Sequence, residues 1–309
     1  MKRLLQVLAI IGVAVLAVVA VSAASNLILG AVERSSIQPY GETVSLERGD
    51  VNVSVVGDGE QTLVLLSGYG TAAPTLDFAP LIEELRPHYT VVVVERFGYG
   101  YSDLGVTDRT VENVSNELHD VLADLRVHEP VLIAHSLSGI YALDYVNRFP
   151  GEVSALVTID SSVPEDFAVP ADRSSWESAL TTTGLVRWVI TFDPAIATPA
   201  APAGVYSDGE IEQIRLMNIW NHANPALIDE NNRTAENFRA VRDLSYPTDL
   251  PVLAFLSQQL VDANEQWLPA HDLQLKRSGR SELMVLNGGH YLHWTHSLEM
   301  AAAIRSFLH

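Results

Sequence analysis

Short runs of uninterrupted Val, Leu and Ile, each set apart from the next by a stretch with helical spacing, constrain this chain more than any other feature. Residues 62–66, 90–94, 130–134, 153–159, 252–256 and 283–286 are of this kind. A strand that is apolar at every position is buried on both faces, which happens when helices cover both sides of a mainly parallel sheet. Leu76, Phe78, Leu81, Ile82 and Leu85 keep helical spacing up to about Pro87. Val111, Val114, Leu118, Val121, Leu122 and Leu125 do the same, with Thr110 or Asp108 available as the cap. Ahead of these, residues 43–47 and 51–56 read as a hairpin about Arg48-Gly49-Asp50, and a helix over 298–307 closes the chain. The expected architecture is α/β: a mainly parallel, eight-stranded sheet with helices on both faces.

Residues 161–249 break this rhythm. They are richer in Pro, Asn, Trp and acidic side chains, with irregular helices expected over 176–190, 210–220 and 234–244 and a loop over 198–203. A block of that size between two core strands reads as a helical cap inserted at one end of a single domain, residues 36–309. Residues 1–35 form a separate segment. Met1-Lys2-Arg3 is followed by an apolar run from Leu4 to about Ala24, with Gln6 its only strongly polar member. At 1.5 Å per residue such a run can cross a hydrocarbon core of roughly 30 Å. A secretory signal is usually shorter, and apolar residues resume at Leu27-Ile28-Leu29, so the segment reads as an uncleaved signal-anchor. Cleavage after Val21-Ser22-Ala23, releasing a secreted protein, is the alternative. Lys2 and Arg3 precede the span, which leaves the rest of the chain on the extracytoplasmic side.

The charge balance excludes some functions. Nineteen basic residues against 38 acidic ones give a net charge of −19, a surface that repels nucleic acid. The chain has no cysteine, which removes disulfides, thiolate metal sites and a cysteine nucleophile together. With 48 % hydrophobic residues there is enough apolar material for a large core.

The chemistry concentrates where the run 130–134 gives way to a helix. Ser136, in Ala134-His135-Ser136-Leu137-Ser138-Gly139, sits at that turn. A serine there is held on a strained elbow with its hydroxyl exposed and a helix N-terminus beside it. Backbone crowding demands small residues two before and two after. Ala134 and Ser138 meet that demand, although the strict Gly-x-Ser-x-Gly pattern is not matched.

A serine hydroxyl needs a base within hydrogen-bond reach. In chains of this order the base follows the last strand, where Gly288-Gly289-His290 stands; His293, His296 and His309 compete with it. His290 leaves the strand on two glycines and is the preferred base. A metal site from His290, His293 and His296 is disfavoured, because no Glu accompanies them in an HExxH arrangement. For the orienting carboxylate two residues stay open. Asp160 ends the strand 153–159 and is preferred; Asp262 lies two residues beyond the slot after 252–256, which Leu260 occupies. The oxyanion donors expected are the backbone N–H of Leu137 and that of Tyr69, in Ser67-Gly68-Tyr69-Gly70.

With nucleophile, base and glycine loop in this order, the chain from about residue 43 to 309 resembles the α/β-hydrolase superfamily, of the esterase, lipase and thioesterase kind. The segment Glu95-Arg96-Phe97-Gly98-Tyr99-Gly100-Tyr101-Ser102-Asp103 is similar to that family's Asp-x-x-Gly-x-Gly-x-Ser stretch, with Glu95 in place of the commoner Asp. Together with residues 65–71 and Asp160-Ser161-Ser162-Val163-Pro164, it looks like a subgroup of bacterial hydrolases with an N-terminal membrane anchor. The resemblance implies cleavage of an ester-like bond in a small acyl substrate through an acyl-enzyme on Ser136, with no cofactor and no metal. An aminopeptidase, acyltransferase or haloperoxidase on the same scaffold, or a non-catalytic binding module, are the alternatives.

Overall fold

The computed structural model describes residues 1–164, 173 and 176–309. The part of the expected insertion that falls on 165–172 and 174–175 lies outside the described residues. The sheet has eight strands: β1 (Glu42–Leu46), β2 (Gly49–Val56), β3 (Thr62–Leu66), β4 (Thr90–Glu95), β5 (Val131–His135), β6 (Ala155–Ile159), β7 (Val252–Ser257) and β8 (Ser281–Leu286). Their spatial order is β1-β2-β4-β3-β5-β6-β7-β8, antiparallel for the first two pairings and parallel for the rest. This is the expected α/β architecture.

The inner runs are apolar throughout because each feeds two cores, whereas the run 283–286, expected to be buried on both faces, lies in the edge strand β8 and is buried only at Leu286. Successive side chains of a strand point to opposite faces. Val64, Leu66, Leu132, Ala134, Leu156 and Ala254 pack on one side, against helices α4 (Val111–Asp124) and α5 (Ser138–Arg148). Leu63, Leu65, Ile133, Val157, Ile159 and Phe255 pack on the other, against α3 (Ala79–Leu85) and the closing helix α13 (Ser297–Leu308).

Two helices expected as single pieces are broken. The stretch from Leu76 to Leu85 divides into α2 (Pro74–Asp77) and α3 at Phe78. Pro80 explains the break, since it has no N–H to donate and its ring collides with the carbonyl four residues back. The expected helix 176–190 divides into α6 (Trp176–Thr182) and α7 (Leu185–Phe192) at Gly184, whose φ of +79° is left-handed. Beyond them α8 (Asp208–Asn221) opens on a capping box at Ser207 and Glu210. The helix expected to begin at Thr234 begins a full two turns earlier, as α9 (Pro225–Val241). The start signal is Asn224-Pro225: Asn224 accepts from the Leu227 N–H, and proline is favoured in the first turn, where no N–H is needed. The remaining helices are α10 (Gln258–Ala263), α11 (Trp267–Leu275) and α12 (Leu292–Thr295).

A buried charge joins α9 to the sheet. Glu230 accepts from the hydroxyls of Tyr99 (2.6 Å) and Tyr141 (2.8 Å) and lies 3.3 Å from the Arg96 guanidinium, with all four side chains buried. Burial by itself would lower the pKa of Arg96, but Glu230, with smaller contributions from Tyr99, Tyr141 and Glu117, outweighs it and holds the guanidinium charged. Replacing Glu230 by Ala would leave that cation buried and uncompensated. The expected loss is about 3–5 kcal/mol of unfolding free energy, read as a lowered urea midpoint; a loss below about 1 kcal/mol would show that Arg96 finds other compensation.

The N-terminal helix α1 (Lys2–Ser36) is long and apolar enough, by length and composition, to cross a membrane. Its residues 4–18 are exposed on every face. Its polar end is not free: Ser22, Asn26 and Glu33 hydrogen-bond to the α6–α7 region.

Candidate active site

The sheet order reverses between β3 and β5, which leave their neighbours in opposite directions. At such a point the loops after the carboxyl ends of the strands diverge and open a crevice. Tyr69 follows β3, Ser136 and Leu137 follow β5, Asp160 follows β6 and His290 follows β8, all at the carboxyl edge of the sheet.

Ser136 follows β5 directly and adopts φ +54°, a left-handed conformation that a non-glycine residue rarely takes. Its N–H donates to the Ile159 carbonyl, and its own carbonyl accepts from Gly139 and Ser162. These bonds hold the strained turn. Ala134 and Ser138 are both fully buried, which is why both had to be small. Ser138 does more than substitute for glycine: its hydroxyl donates to the Ser67 carbonyl, tying the elbow to the loop after β3. Gly68 in that loop backs on to the serine. A Cβ there would stand 2.8 Å from Ser136 Cβ and 3.0 Å from His135 Nδ1, so only glycine lets the two loops close.

His290 Nε2 lies 2.8 Å from Ser136 Oγ, and its Nδ1 lies 2.8 Å from Asp160 Oδ2. The carboxylate can only accept, so Nδ1 carries the ring proton and Nε2 is free to accept from the serine hydroxyl. Asp160, wholly buried at the end of β6, also accepts from the Ser257 N–H (2.9 Å), the Ser257 hydroxyl (2.8 Å) and the Trp267 indole (3.1 Å). A buried carboxylate with that many donors has its position fixed from several sides. Sequence reasoning missed Ser257 and Trp267. Ser257 was visible only as the residue ending β7, and nothing along the chain links Trp267 to Asp160.

Asp262 is elsewhere. It lies exposed on α10, accepting from Gln258 one turn back (2.7 Å). Ser257 caps that helix through the Leu260 N–H, so the segment after β7 turns into helix at once and carries Asp262 away from the crevice. His293, the competing base, is fully buried and bonded to Asp77 at 2.9 Å, while His296 pairs with Thr295. The three histidines thus have three different partners. Asp77, His135 and His293 do bring possible ligand atoms within 4.8 Å of one another. Asp77 is engaged there by both His293 and the Trp294 indole.

His135 also went unnoticed in the sequence. Its Nε2–H donates to the carbonyl of His290 at 3.2 Å, so the residue before Ser136 helps to place the ring that meets Ser136. Burial, then the neighbouring His293 and His290, push its pKa well below that of a free histidine, keeping it neutral and in this donor form.

Among the described residues, neither the Tyr69 N–H nor the Leu137 N–H has an acceptor. Both belong to the two loops that meet at Gly68. Tyr69 itself is held by its ring hydroxyl, which donates to the Leu227 carbonyl (3.2 Å) and accepts from Arg173 (3.0 Å). Glu95 takes the place expected for an Asp. Its longer side chain reaches the Tyr40 hydroxyl, the Asn52 amide and the N–H groups of Thr75 and Tyr101. Chemically, a hydroxyl bonded to an imidazole that is in turn bonded to a buried carboxylate can give up its proton as it attacks an electrophile.

Known proteins fit this frame. Residues 63–303 match the model of the alpha/beta hydrolase family. An uncharacterized protein of Bacillus subtilis strain 168, YbdG, is 27 % identical over 266 residues, covering 82 % of this chain and 81 % of its own. A pimeloyl-[acyl-carrier protein] methyl ester esterase of Xylella fastidiosa strain M12 is 26 % identical over 275 residues, 83 % of this chain and 98 % of its own. Among solved structures, epoxide hydrolase VrEH1 from Vigna radiata superposes with a TM-score of 0.67 at 14 % identity, covering 86 % of this chain and 96 % of that one. A bromoperoxidase from Bacillus anthracis superposes with a TM-score of 0.63 at 17 % identity, covering 86 % and 99 %. At such identities the likeness is one of fold. The match across the sheet, its flanking helices and the crevice loops places this chain in the alpha/beta hydrolase family.

Proposed function

We propose that the protein is a carboxylic-ester hydrolase that works through an acyl-enzyme, with Ser136 as nucleophile, His290 as general base and Asp160 as the carboxylate that orients it. The observation that carries this reading is the continuous chain of 2.8 Å contacts from Ser136 Oγ through the His290 ring to Asp160. The esterase relatives, 25–26 % identical over nearly their whole length, support an ester as substrate. In the first half-reaction Ser136 Oγ attacks the carbonyl carbon while its proton passes to His290 Nε2. The N–H groups of Tyr69 and Leu137 face the developing oxyanion. The intermediate collapses as His290 returns the proton to the departing alcohol. Water then repeats the sequence on the acyl group and releases the acid. No cofactor enters this scheme.

The helices between β6 and β7 serve in this reading as the cap over a single hydrolase domain, and α1 as a signal-anchor that keeps that domain on the extracytoplasmic side. A fluorophosphonate probe tests the chemistry. It is expected to leave one adduct, on the peptide that contains Ser136, and none on a Ser136→Ala variant, as read by mass spectrometry. An unlabelled wild-type protein would overturn the proposal in favour of a binding module on a hydrolase fold.

A further inference from the structure

The helix α7 presents Leu185, Trp188, Val189 and Phe192 at i, i+3, i+4 and i+7, a single apolar face. These side chains are 42 %, 45 %, 56 % and 83 % exposed, and Ile196 just beyond them is 59 % exposed. In a chain of net charge −19, this helix carries no acidic residue. An exposed apolar face of this kind marks a surface meant to be covered.

The contacts of α7 with α1 indicate by what. The apolar run from Leu4 to Ala24, at 1.5 Å per residue, matches a hydrocarbon core of roughly 30 Å. Its outer boundary therefore falls near Ser22, and Asn26 and Glu33 lie beyond it. Trp188 donates its indole N–H to Ser22 Oγ at 2.9 Å, which sets that ring at the boundary, where tryptophan is favoured. Arg187, on the other side of α7, reaches Asn26 (2.8 Å) and Glu33 instead. Arg187 thus meets the part of α1 beyond the boundary, while Trp188, on the exposed face, meets α1 at the boundary itself.

We propose that the exposed face of α7 dips into the same bilayer leaflet from which α1 emerges, so that the protein meets the lipid at two places. The face is continuous with an apolar cavity of about 600 Å³ lined by Leu185, Val189 and Phe192. That cavity shares Ile196, Ala197 and Asn218 with a smaller one, about 140 Å³, that reaches Gly70 and Tyr291 beside the crevice. Lipid contact at α7 therefore sets the larger cavity at the membrane surface. The proposal rests on the membrane reading of α1 given above.

The absence of native cysteine makes the test direct. Full-length single-cysteine variants Phe192→Cys, Val13→Cys (mid-α1) and Glu112→Cys (exposed on α4) are labelled with an environment-sensitive fluorophore. They are reconstituted in phosphatidylcholine vesicles containing doxyl-labelled lipid. The expected result is blue-shifted emission, largely quenched by the doxyl lipid, at positions 192 and 13, and none at 112. Quenching at 13 with a water-exposed probe at 192 overturns the proposal while leaving α1 in the membrane. No quenching at 13 overturns the membrane reading and the proposal with it. Quenching at 112 as well would mean non-specific adsorption. A probe at 192 that is shielded but not quenched, in a protein that cross-links to itself through that cysteine, would put a second copy on this face; each of these two results also overturns the proposal.

Discussion

Replacing His290 by Ala is expected to lower kcat for p-nitrophenyl ester hydrolysis by about 10⁶-fold, with KM little changed and the circular dichroism of the wild type. That factor corresponds to about 8 kcal/mol of transition-state stabilisation. The loss is this large because the ring serves twice in each half-reaction, taking the serine proton and returning it to the leaving group. A Ser136→Ala change should cost about as much, and the double variant little more, since the two side chains act as one unit. Steady-state kinetics with active-site titration checks this. A His290→Ala enzyme with more than about one hundredth of wild-type kcat would show that another group accepts the proton, and the buried, Asp77-bonded His293 could not reach Ser136 without unfolding its surroundings.

The second large effect separates the two carboxylates. Asp160→Asn is expected to reduce kcat by about 10⁴-fold, and Asp262→Asn to leave it within about twofold. Asparagine is the same size as aspartate and can keep an acceptor toward Ser257 and Trp267. Its amide, however, can donate to His290 Nδ1. The ring then carries its proton on Nε2, the nitrogen that faces Ser136, and can no longer accept from the hydroxyl. Equal and small losses from both substitutions would remove Asp160 from the mechanism. A larger loss from Asp262→Asn would require α10 to rearrange on substrate binding, which hydrogen exchange at its amides would detect.

Strands were legible wherever their burial is two-sided: the run 62–66 became β3 with the same limits, and 252–256 became β7 with one residue added. Helix limits were legible where a local signal was used. Thr110 caps α4 by accepting from Asn113, whereas Asp108 takes a positive φ of 64° outside the helix. They were missed where such a signal was passed over, at Pro80, Gly184 and Asn224-Pro225, although each is written in the sequence. Asp160 and Asp262 could not be separated by local signals alone, because nothing near either residue in the chain names its partner.

The sequence by itself determined the α/β architecture, the position of the elbow at Ser136 and the presence of a membrane-length apolar helix. Each depends on residues close together in the chain: short continuous apolar runs set apart by helical spacing, small residues around one turn, a membrane-length apolar stretch. Tertiary structure alone decided that Asp160 meets His290, 130 positions away, with Ser257 and Trp267 fixing it from two further elements. It also decided that His135 supports His290, and that α7 lies against α1 at the end of its apolar run. These contacts form only when parallel strands bring distant loops to one edge of the sheet. Which side chains then come within 3 Å depends on register and packing, which no stretch of neighbouring residues records.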